Sequence, residues 1–419
     1  MKILFVSPYL PHPRCGHGAG VFIYGMIEKL MSNHEVSLIS FCDKRELELA
    51  KDFATLPVEC IFIPRGKGAR KSFFWNAYLV AVRSLQLLRS LLLWQPYYVA
   101  KFHHPRMVRE LRSLTSRRQF DIVQIEFSQM GQYAKHVKSG KTVLHEIDVS
   151  FRPSYRKFRN SAAPLHKAAA YVEWCRWAKY EPVLVDIFDH VLTLSDQDRL
   201  LLNWLKPGRK NISYFPLAVD VAREIPAPGS RARHTLLFVG TFSHYPNVDA
   251  VRWLCSEIFP LVLQRFPQAM LSIVGPHPPA DLLDIARNEA RIRVLGFVDD
   301  VDVYLRQCSV FVAPIRFGGG VKTKVLAALA QGIPVVSTKI GMEGIDGVES
   351  DAILVDNSPE GIANHICDLF AHPERAAVVG ERGWNVVEST YSWDRIIARL
   401  LTIYQKILTE SSGQTPSKM

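Results

Sequence analysis

A glycine-rich loop followed by two lysines is the part of this sequence best suited to bind an anion. Gly318, Gly319 and Gly320 are consecutive, and Lys322 and Lys324 follow them where a helical pattern begins. Glycines let backbone N–H groups approach a ligand closely, and the N-terminus of a helix carries a partial positive charge. Two cations at that end are unfavourable unless both contact an anion. The pattern therefore indicates a phosphate or diphosphate site; the alternative is a flexible loop with solvated lysines.

Two further glycine-bearing loops follow apolar stretches that read as strands. Gly16, Gly18 and Gly20 lie between the first such stretch and the first helical one, and Gly240 ends a later strand. Ligands of open α/β sheets bind beyond the carboxyl ends of the strands. We therefore expect Gly16, Gly18 and Gly240 to line a ligand site.

Length and composition limit the class of protein that these loops belong to. The chain has 419 residues, of which 48% are hydrophobic and 22% charged, which is typical of a soluble globular protein of two domains. The seven cysteines have no paired or metal-ligand spacing, which favours a reducing compartment and argues against a zinc site. The first residues do not resemble a signal peptide, and no apolar run approaches the roughly 20 residues that span a bilayer.

The positive charge of the protein is concentrated in its first half. Residues 1–222 hold 32 Lys and Arg against 19 Asp and Glu, a net charge of +13, whereas the rest of the chain has a net charge of −2. Such a half is expected to face an anionic partner. Residues 65–118 combine basic, aromatic and leucine residues, a mixture that suits an anionic membrane surface. The alternative is a pair of core helices with solvated arginines; nucleic acid is not expected, because no nucleic-acid motif is present.

Apolar runs alternate with longer helical patterns along both halves of the chain. Several runs lack a polar/apolar alternation, which indicates strands buried on both faces of a parallel sheet. A Pro-, Gly-, Ala- and Arg-rich stretch at 221–234 predicts a linker. We therefore predict an α/β protein with two Rossmann-like, doubly wound domains facing a cleft. Their predicted bounds are residues 1–222 and 223–390, followed by a C-terminal helix that crosses back to the first domain and a disordered tail at 391–419.

The second half resembles a known family over nearly all of Leu236 to Ile345. The pattern includes "LLFVGTFSHYPNVDAVRWL", "IRVLGFVDDVDVYL" and "VFVAPIRFGGGVKTKVLAALAQGIPVVSTKIGMEGI". It is similar to the nucleotide-binding domain of GT-B glycosyltransferases, specifically the retaining family 4. The first half resembles the same family more loosely, through "MKILFVSPYLP", "FDIVQIEF", "HEID" and "DHVLTLSDQDR".

The resemblance implies a site for a nucleoside-diphosphate sugar in the second domain. The diphosphate would lie over Gly319, Gly320 and Val321 with Lys322 or Lys324, and the base near Val298. In the first domain, His145 matches a family histidine near the donor. The residues expected at the donor are Gly16, Gly18, Gly240, Val298, Arg316, Phe317, Gly318, Gly319, Gly320, Val321, Lys322 and Ala327, and those expected to assist the reaction are His145, Lys322 and Lys324.

The sequence departs from the family pattern where two glutamates are usual. The positions of the E-x7-E motif are occupied here by Gly319 and Ala327, and a common basic pair is replaced by Thr241 and Pro246. A carboxylate on two ribose hydroxyls makes hydrogen bonds worth roughly 1.5–3 kcal/mol each. Without it, donor binding should be weaker, and Lys322 and Lys324 should carry more of the diphosphate charge.

The expected activity is glycosyl transfer from a nucleoside-diphosphate sugar to a glycan or lipid-linked acceptor in cell-surface polysaccharide biosynthesis, with retention. No cofactor and no metal are expected, and the enzyme would be cytoplasmic, at the inner face of the cytoplasmic membrane if it is membrane-bound. One alternative is a catalytically weak or inactive GT-B-like binding or assembly protein. Another is a nucleotide-sugar epimerase of the same fold. The sequence specifies neither the sugar, the base, the acceptor and the linkage nor the oligomeric state.

Two polar clusters that could be mistaken for functional groups read as helix starts. Ser195, with Asp198 three residues later, fits an N-cap, and Asp299 and Asp300 precede a helical pattern.

Overall fold

The computed structural model of the protein divides into two compact units. It describes residues 1–15, 18–43, 46–65, 84–147, 149–226, 230–318, 320–347 and 351–412. The first unit comprises Met1–Pro216 together with the chain from Ile397 onward, and the second comprises Leu217–Ile396. The last helix therefore contributes its first residues to the second unit and the others to the first.

The first unit is built on a parallel sheet of seven strands in the order β3-β2-β1-β4-β5-β6-β7. β4 is buried at all five positions, and β1 at all but its first residue, because helices cover both faces of the sheet. The strands are β1 (Lys2–Ser7), β2 (Glu35–Cys42), β3 (Val58–Pro64), β4 (Ile122–Glu126), β5 (Lys141–Glu146), β6 (His190–Thr193) and β7 (Ile212–Tyr214).

The second unit has a parallel sheet of six strands in the order β10-β9-β8-β11-β12-β13. From the central β8 the chain builds outward to β10, then returns to the other side of β8 with β11. The boundary between β8 and β11 is thus the topological switch point of this sheet. The strands are β8 (Thr235–Val239), β9 (Met270–Val274), β10 (Ile292–Gly296), β11 (Val310–Ala313), β12 (Val335–Ser337) and β13 (Leu354–Val355).

Helices connect the strands in both units. The α-helices of the first unit are Gly18–Leu30, Glu46–Leu49, Tyr97–Lys101, Pro105–Arg117, Phe151–Asn160, Pro164–Ile187 and Asp196–Leu205, with 3-10 turns at Ala50–Thr55 and Ser128–His136 and helical residues at 84–92. Those of the second unit are Tyr245–Trp253, Phe259–Arg265, Ala280–Asn288, Asp302–Gln307, Thr323–Ala330, Pro359–Ala371 and Pro373–Tyr391, with a π-helical turn at Leu254–Ile258. The last helix is Trp393–Ser412. In the described parts of the chain, none of the helices combines the length and apolar character needed to cross a bilayer.

The α/β fold class predicted from the sequence is confirmed: both sheets are parallel and alternate with helices. The helix-start prediction at Ser195 is also confirmed, since its hydroxyl accepts a hydrogen bond of 3.1 Å from the backbone N–H of Asp198. Asp300 likewise accepts one of 2.8 Å from the N–H of Asp302, where the next helix begins. These polar groups therefore serve the backbone.

Candidate functional site

The two glycine-bearing loops of the second unit follow the two strands at its switch point. One loop follows β8 at Gly240, and the other follows β11 and leads into the helix Thr323–Ala330. Because β8 and β11 are paired and parallel, their carboxyl ends lie side by side. This is the position where open α/β sheets bind ligands.

Gly240 makes room for the side chain of Asn247. A Cβ at Gly240 would lie 2.9 Å from the Asn247 Cγ, closer than real contacts allow. Asn247 donates a hydrogen bond of 2.9 Å from Nδ2 to the carbonyl of Thr241. This bond directs the amide nitrogen to the loop, and the amide oxygen, Oδ1, faces Lys324.

Lys324 lies in the first turn of the helix Thr323–Ala330, and its side chain is partly buried. Its Nζ donates a hydrogen bond of 2.5 Å to Asn247 Oδ1 and lies 4.9 Å from the centre of the Phe238 ring. Among the described residues, no carboxylate forms an ion pair with it, and the first helical turn holds no acidic residue. Burial, and secondarily the charge of Lys322, lowers the pKa of Lys324 to about 7. An anion bound here would reverse that shift.

The glycine loop itself has a conformation that only glycine adopts readily. Gly318 and Gly320 have φ values of +104° and +72°. Lys322, the residue that caps the helix, donates a hydrogen bond of 2.7 Å from Nζ to the carbonyl of Gly320. Its ammonium therefore folds back over the loop and adds positive charge to the side on which Lys324 lies.

Arg316 is engaged in holding the loop in place. Its guanidinium donates two hydrogen bonds, of 2.9 and 2.7 Å, to the carboxylate of Asp249, and it lies 4.7 Å from the centre of the Trp253 ring. A bidentate arginine–carboxylate pair is geometrically fixed. The donor contact expected of Arg316 stays a prediction, but the geometry gives this side chain the task of joining the loop to the helix Tyr245–Trp253.

The other residues predicted at the donor lie around the same end of the sheet. Ala327 is partly exposed, whereas its neighbours on both sides, Leu326 and Ala328, are buried. Val321 is partly buried against Gly344. The half-exposed ring of Phe317 has its centre 6.3 Å from that of the Tyr245 ring. Val298 is partly buried and follows Phe297, which is 72% exposed. Gly319 lies outside the described residues.

In the first unit, His145 is fully buried at the end of β5. Its Nδ1 lies 2.7 Å from Glu126 Oε2, and its ring meets those of Phe22 and Phe215 at centroid distances of 5.7 and 5.4 Å. Its Nε2 is buried with no hydrogen-bond partner among the described residues. Gly18 begins the first helix, Gly18–Leu30, and Gly16 lies outside the described residues.

A second buried carboxyl group lies in the same unit, at Glu181. It accepts hydrogen bonds from the backbone N–H groups of Ser150 (2.5 Å) and Phe151 (3.1 Å), at the start of the helix Phe151–Asn160. Burial raises the pKa of Glu181 to about 8. Its contacts are those of a helix anchor, a role that the sequence alone did not indicate.

The sequence did not point to the partners that orient these groups. Asn247 and Asp249 lie in the quoted "PNVDAV" segment, but no spacing rule assigns them to Lys324 and Arg316. Glu126 had a usable signal, because it and Gln124 alternate on an otherwise apolar strand and so share one face. The assembled second-unit site offers two ammonium groups and a helix N-terminus, which is the chemistry of a phosphate or diphosphate receptor.

Comparisons with known proteins relate the second unit to a family of enzymes. The family model of Glycosyl transferases group 1 matches residues 233–372, which hold the whole of the site described in the second unit. An uncharacterized 44.6 kDa protein in the cps region of Klebsiella pneumoniae is 20% identical over 95% of this chain and 98% of its own. The phosphatidyl-myo-inositol mannosyltransferase of Mycobacterium tuberculosis is 28% identical over 42% of this chain and 48% of its own, about half of each protein.

Solved structures share the fold over nearly the whole chain. The sucrose-phosphate synthase of Thermosynechococcus elongatus has a TM-score of 0.69 at 14% identity, covering 98% of this chain and 100% of its own. The Anabaena protein HepE in complex with UDP-glucose has a TM-score of 0.57 at 16% identity, covering 99% and 100%. Residues 233–372 thus match glycosyl transferases group 1, and the chain has the two-domain α/β fold of the GT-B glycosyltransferases.

Proposed function

We propose that the protein transfers a sugar from a nucleoside-diphosphate donor to a glycan or lipid-linked acceptor in cell-surface polysaccharide biosynthesis. The observation that carries the proposal is the ammonium group of Lys324, which is partly buried, held by a neutral amide and faced by no carboxylate among the described residues. A cation in such a place is costly without an anion. The diphosphate of a nucleotide sugar supplies two or more negative charges at the required spot.

The comparisons support the donor class and the biological setting of this proposal. HepE, which has the same fold, was solved in complex with UDP-glucose, and the mycobacterial relative is a mannosyltransferase. The Klebsiella relative belongs to a cps region, which favours a polysaccharide product.

The chemistry asked of the second-unit site is stabilisation of a departing charge. As the bond between sugar and diphosphate breaks, negative charge accumulates on the diphosphate oxygens, and Lys322, Lys324 and the helix N-terminus are placed to receive it. We propose that the reaction retains the anomeric configuration, as in family 4 of the GT-B enzymes. No protein nucleophile and no metal are needed for this step, because positioning and charge stabilisation lower the barrier.

A GT-B-like binding or assembly protein with little catalysis is the second candidate function. The observation that favours it is Ala327, a partly exposed methyl group where the family pattern has a carboxylate. Without that carboxylate, the ribose loses charge-assisted hydrogen bonds worth roughly 1.5–3 kcal/mol each.

The two candidates differ in whether the natural chain turns over a donor. We would measure binding and hydrolysis of UDP-, GDP-, ADP- and dTDP-sugars by the wild type, by Ala327→Glu, and by the double variant Lys322→Ala/Lys324→Ala. We expect one donor to be bound and slowly hydrolysed by the wild type and this to be lost in the double variant. If only Ala327→Glu binds or hydrolyses a donor, the natural site is disabled and the protein is a binding partner.

We further propose that the protein works in the cytoplasm, at the inner face of the cytoplasmic membrane, through part of segment 65–118. Residues 66–83 of that segment lie outside the described residues. In the described part, the helical residues at 84–92 expose leucines, among them Leu85 and the 75% exposed Leu92. Arg65 does not belong to the proposed membrane-binding surface, because its guanidinium is engaged within the protein. It lies 3.6 Å from the centre of the Phe102 ring and donates a hydrogen bond to the carbonyl of Lys101.

Flotation with liposomes of anionic and neutral lipid tests this placement. We expect salt-sensitive binding to anionic liposomes only, and a loss of at least half of it in Leu85→Ser/Leu92→Ser. The exposed Trp204, which lies outside the segment, offers a control in Trp204→Ser. An absence of any salt-sensitive binding by the wild type contradicts the proposal.

A further inference from the structure

Four fully buried polar side chains of the first unit form one continuous chain of hydrogen bonds. The hydroxyl of Tyr404 donates to Gln124 Oε1 over 2.5 Å, and Gln124 Nε2 donates to Glu126 Oε1 over 2.7 Å. The other oxygen of Glu126, Oε2, lies 2.7 Å from His145 Nδ1. All four residues are fully buried, so water does not compete for these hydrogen bonds.

With Glu126 ionised, the order of donors and acceptors in this chain leaves one consistent arrangement. Glu126 as a carboxylate accepts at both oxygens, so the amide of Gln124 must turn its NH2 group toward Glu126 and its oxygen toward Tyr404. The tyrosine hydroxyl then donates to that oxygen. At the other end, Nδ1 of His145 carries the hydrogen that Glu126 accepts, and in the neutral ring Nε2 carries a lone pair.

The end of this hydrogen-bond chain at His145 has a feature that a purely structural role does not explain. Nε2 of His145 is buried with no partner among the described residues, and leaving such a hydrogen bond unmade destabilises the folded protein. A phenylalanine would fill the space between Phe22 and Phe215 without that cost. The ring stands at the carboxyl end of β5, the end at which parallel sheets bind ligands.

We propose that Tyr404 and Gln124 are positioning residues that act through Glu126 to hold the His145 imidazole with its proton on Nδ1, so that Nε2 keeps the lone pair with which it accepts a hydrogen bond once a bound substrate reaches it. Tyr404 belongs to the last helix and is separated from Gln124 by 280 residues in the sequence. The last helix therefore determines which atom of His145 is available. The use of that atom in sugar transfer rests on the function proposed above; the orientation of the ring does not.

The orientation is measured directly by nuclear magnetic resonance of ¹⁵N-histidine-labelled protein at pH 8. The signals of His145 are assigned with His145→Asn. In the wild type we expect Nδ1 to show the shift of a protonated ring nitrogen and Nε2 that of an unprotonated one. Tyr404→Phe, which removes only the hydroxyl, is expected to move both shifts toward those of a mixture of tautomers, and Glu126→Gln to move them further.

Tyr133→Phe is the matched control. Tyr133 is also fully buried in the first unit, and its hydroxyl donates to the carbonyl of Phe102 and accepts from the N–H of His104, away from His145. We expect it to lower the melting temperature as much as Tyr404→Phe does, with no change at His145. Unchanged His145 shifts in Tyr404→Phe, or equal changes in both variants, overturn the proposal.

A kinetic measurement joins this inference to the proposed function. With the donor that the panel identifies, we expect Tyr404→Phe to lower kcat about tenfold with KM nearly unchanged, and Tyr133→Phe to change neither. If the wild type hydrolyses no donor, the proposed function fails while the resonance experiment still decides the role of Tyr404. If the His145 shifts respond but kcat does not, the claim that substrate uses Nε2 is wrong.

Discussion

Lys324→Met should weaken the binding of UDP, or of the nucleoside diphosphate that the donor panel identifies, by about 10- to 150-fold. The estimate is the free energy of one or more hydrogen bonds to a charged group, roughly 1.5–3 kcal/mol. Methionine keeps the length of the side chain and its contact with Phe238 but brings no charge. Titration calorimetry measures the affinity.

The same lysine predicts how binding depends on pH. In the free protein the pKa of Lys324 is lowered to about 7, so above pH 7 the ammonium is largely deprotonated. A bound diphosphate favours the ammonium and raises that pKa. Binding above pH 7 should therefore take up close to one proton, and the affinity should fall as the pH rises. Calorimetry in buffers of different ionisation enthalpy measures the number of protons taken up on binding. For Lys324→Met this number should be close to zero.

The lowered pKa also has a consequence for stability. An unfolded lysine has a pKa near 10.4, so between about pH 7 and 10.4 the unfolded chain binds more protons than the folded one, and stability rises with pH in that window. Below pH 7 the full cost of burying the charge is present. Lys324→Met should therefore be more stable than the wild type at pH 7, by at least about 1 kcal/mol, and the gain should fade toward pH 10.

Two variants control for the lysine experiment. Lys51→Met removes an exposed lysine that pairs with Glu48 in the first unit and should change nothing. Lys322→Met should cause a smaller loss, because its ammonium is already bound to the carbonyl of Gly320. An affinity and a proton count in Lys324→Met equal to those of the wild type would refute the site.

Gly275→Ala should be the most damaging small substitution in the second unit. A Cβ at Gly275 would lie 1.8 Å from the carbonyl oxygen of Gly240 and 2.7 Å from its carbonyl carbon. Both atoms belong to the backbone at the end of β8, where the N–H of Gly240 donates to Val274 over 2.9 Å. The clash can be relieved only by moving the strand end that supports Asn247. We expect a loss of more than about 3 kcal/mol of stability, measured by thermal and urea unfolding.

Gly296→Ala separates this clash from the ordinary cost of replacing a glycine. Gly296 accepts a hydrogen bond from Gly275 N–H and has a φ of +68°, but a Cβ there meets no atom within 4 Å. It should cost only about 1–2 kcal/mol, the strain of a left-handed residue. Equal losses of stability in Gly275→Ala and Gly296→Ala would mean that the backbone at Gly240 shifts at little cost, contrary to the prediction.

Most of the architecture was predictable from the sequence because it rests on local patterns. Apolar runs that alternate with helical patterns predicted a parallel sheet in each half of the chain. A strand such as β7 (Ile212–Tyr214) is too weak for this signal, because it has only three residues, two of them partly exposed. Lys324 was recognisable because a cation at a helix start after a glycine loop is locally unfavourable. These features need no knowledge of distant contacts.

What escaped sequence reasoning depends on pairs of residues far apart in the chain. Arg316 and Asp249 are 67 residues apart, and Lys324 and Asn247 are 77 apart, so no periodic pattern links them. Arg65 resembled a surface cation, but its guanidinium lies over the buried ring of Phe102, a residue 37 positions further along the chain. Such pairings follow from the strand order and not from spacing.

The contact between Tyr404 and Gln124 also has a consequence for how the protein is made. At roughly 5–20 residues per second, about 15–55 s pass between the synthesis of β4 and that of its partner in the last helix. The whole second unit, Leu217–Ile396, is translated in that interval. Until then the amide oxygen of Gln124 lacks the Tyr404 hydroxyl that donates to it, so the first unit can reach its final state only after the last helix, Trp393–Ser412, has been translated.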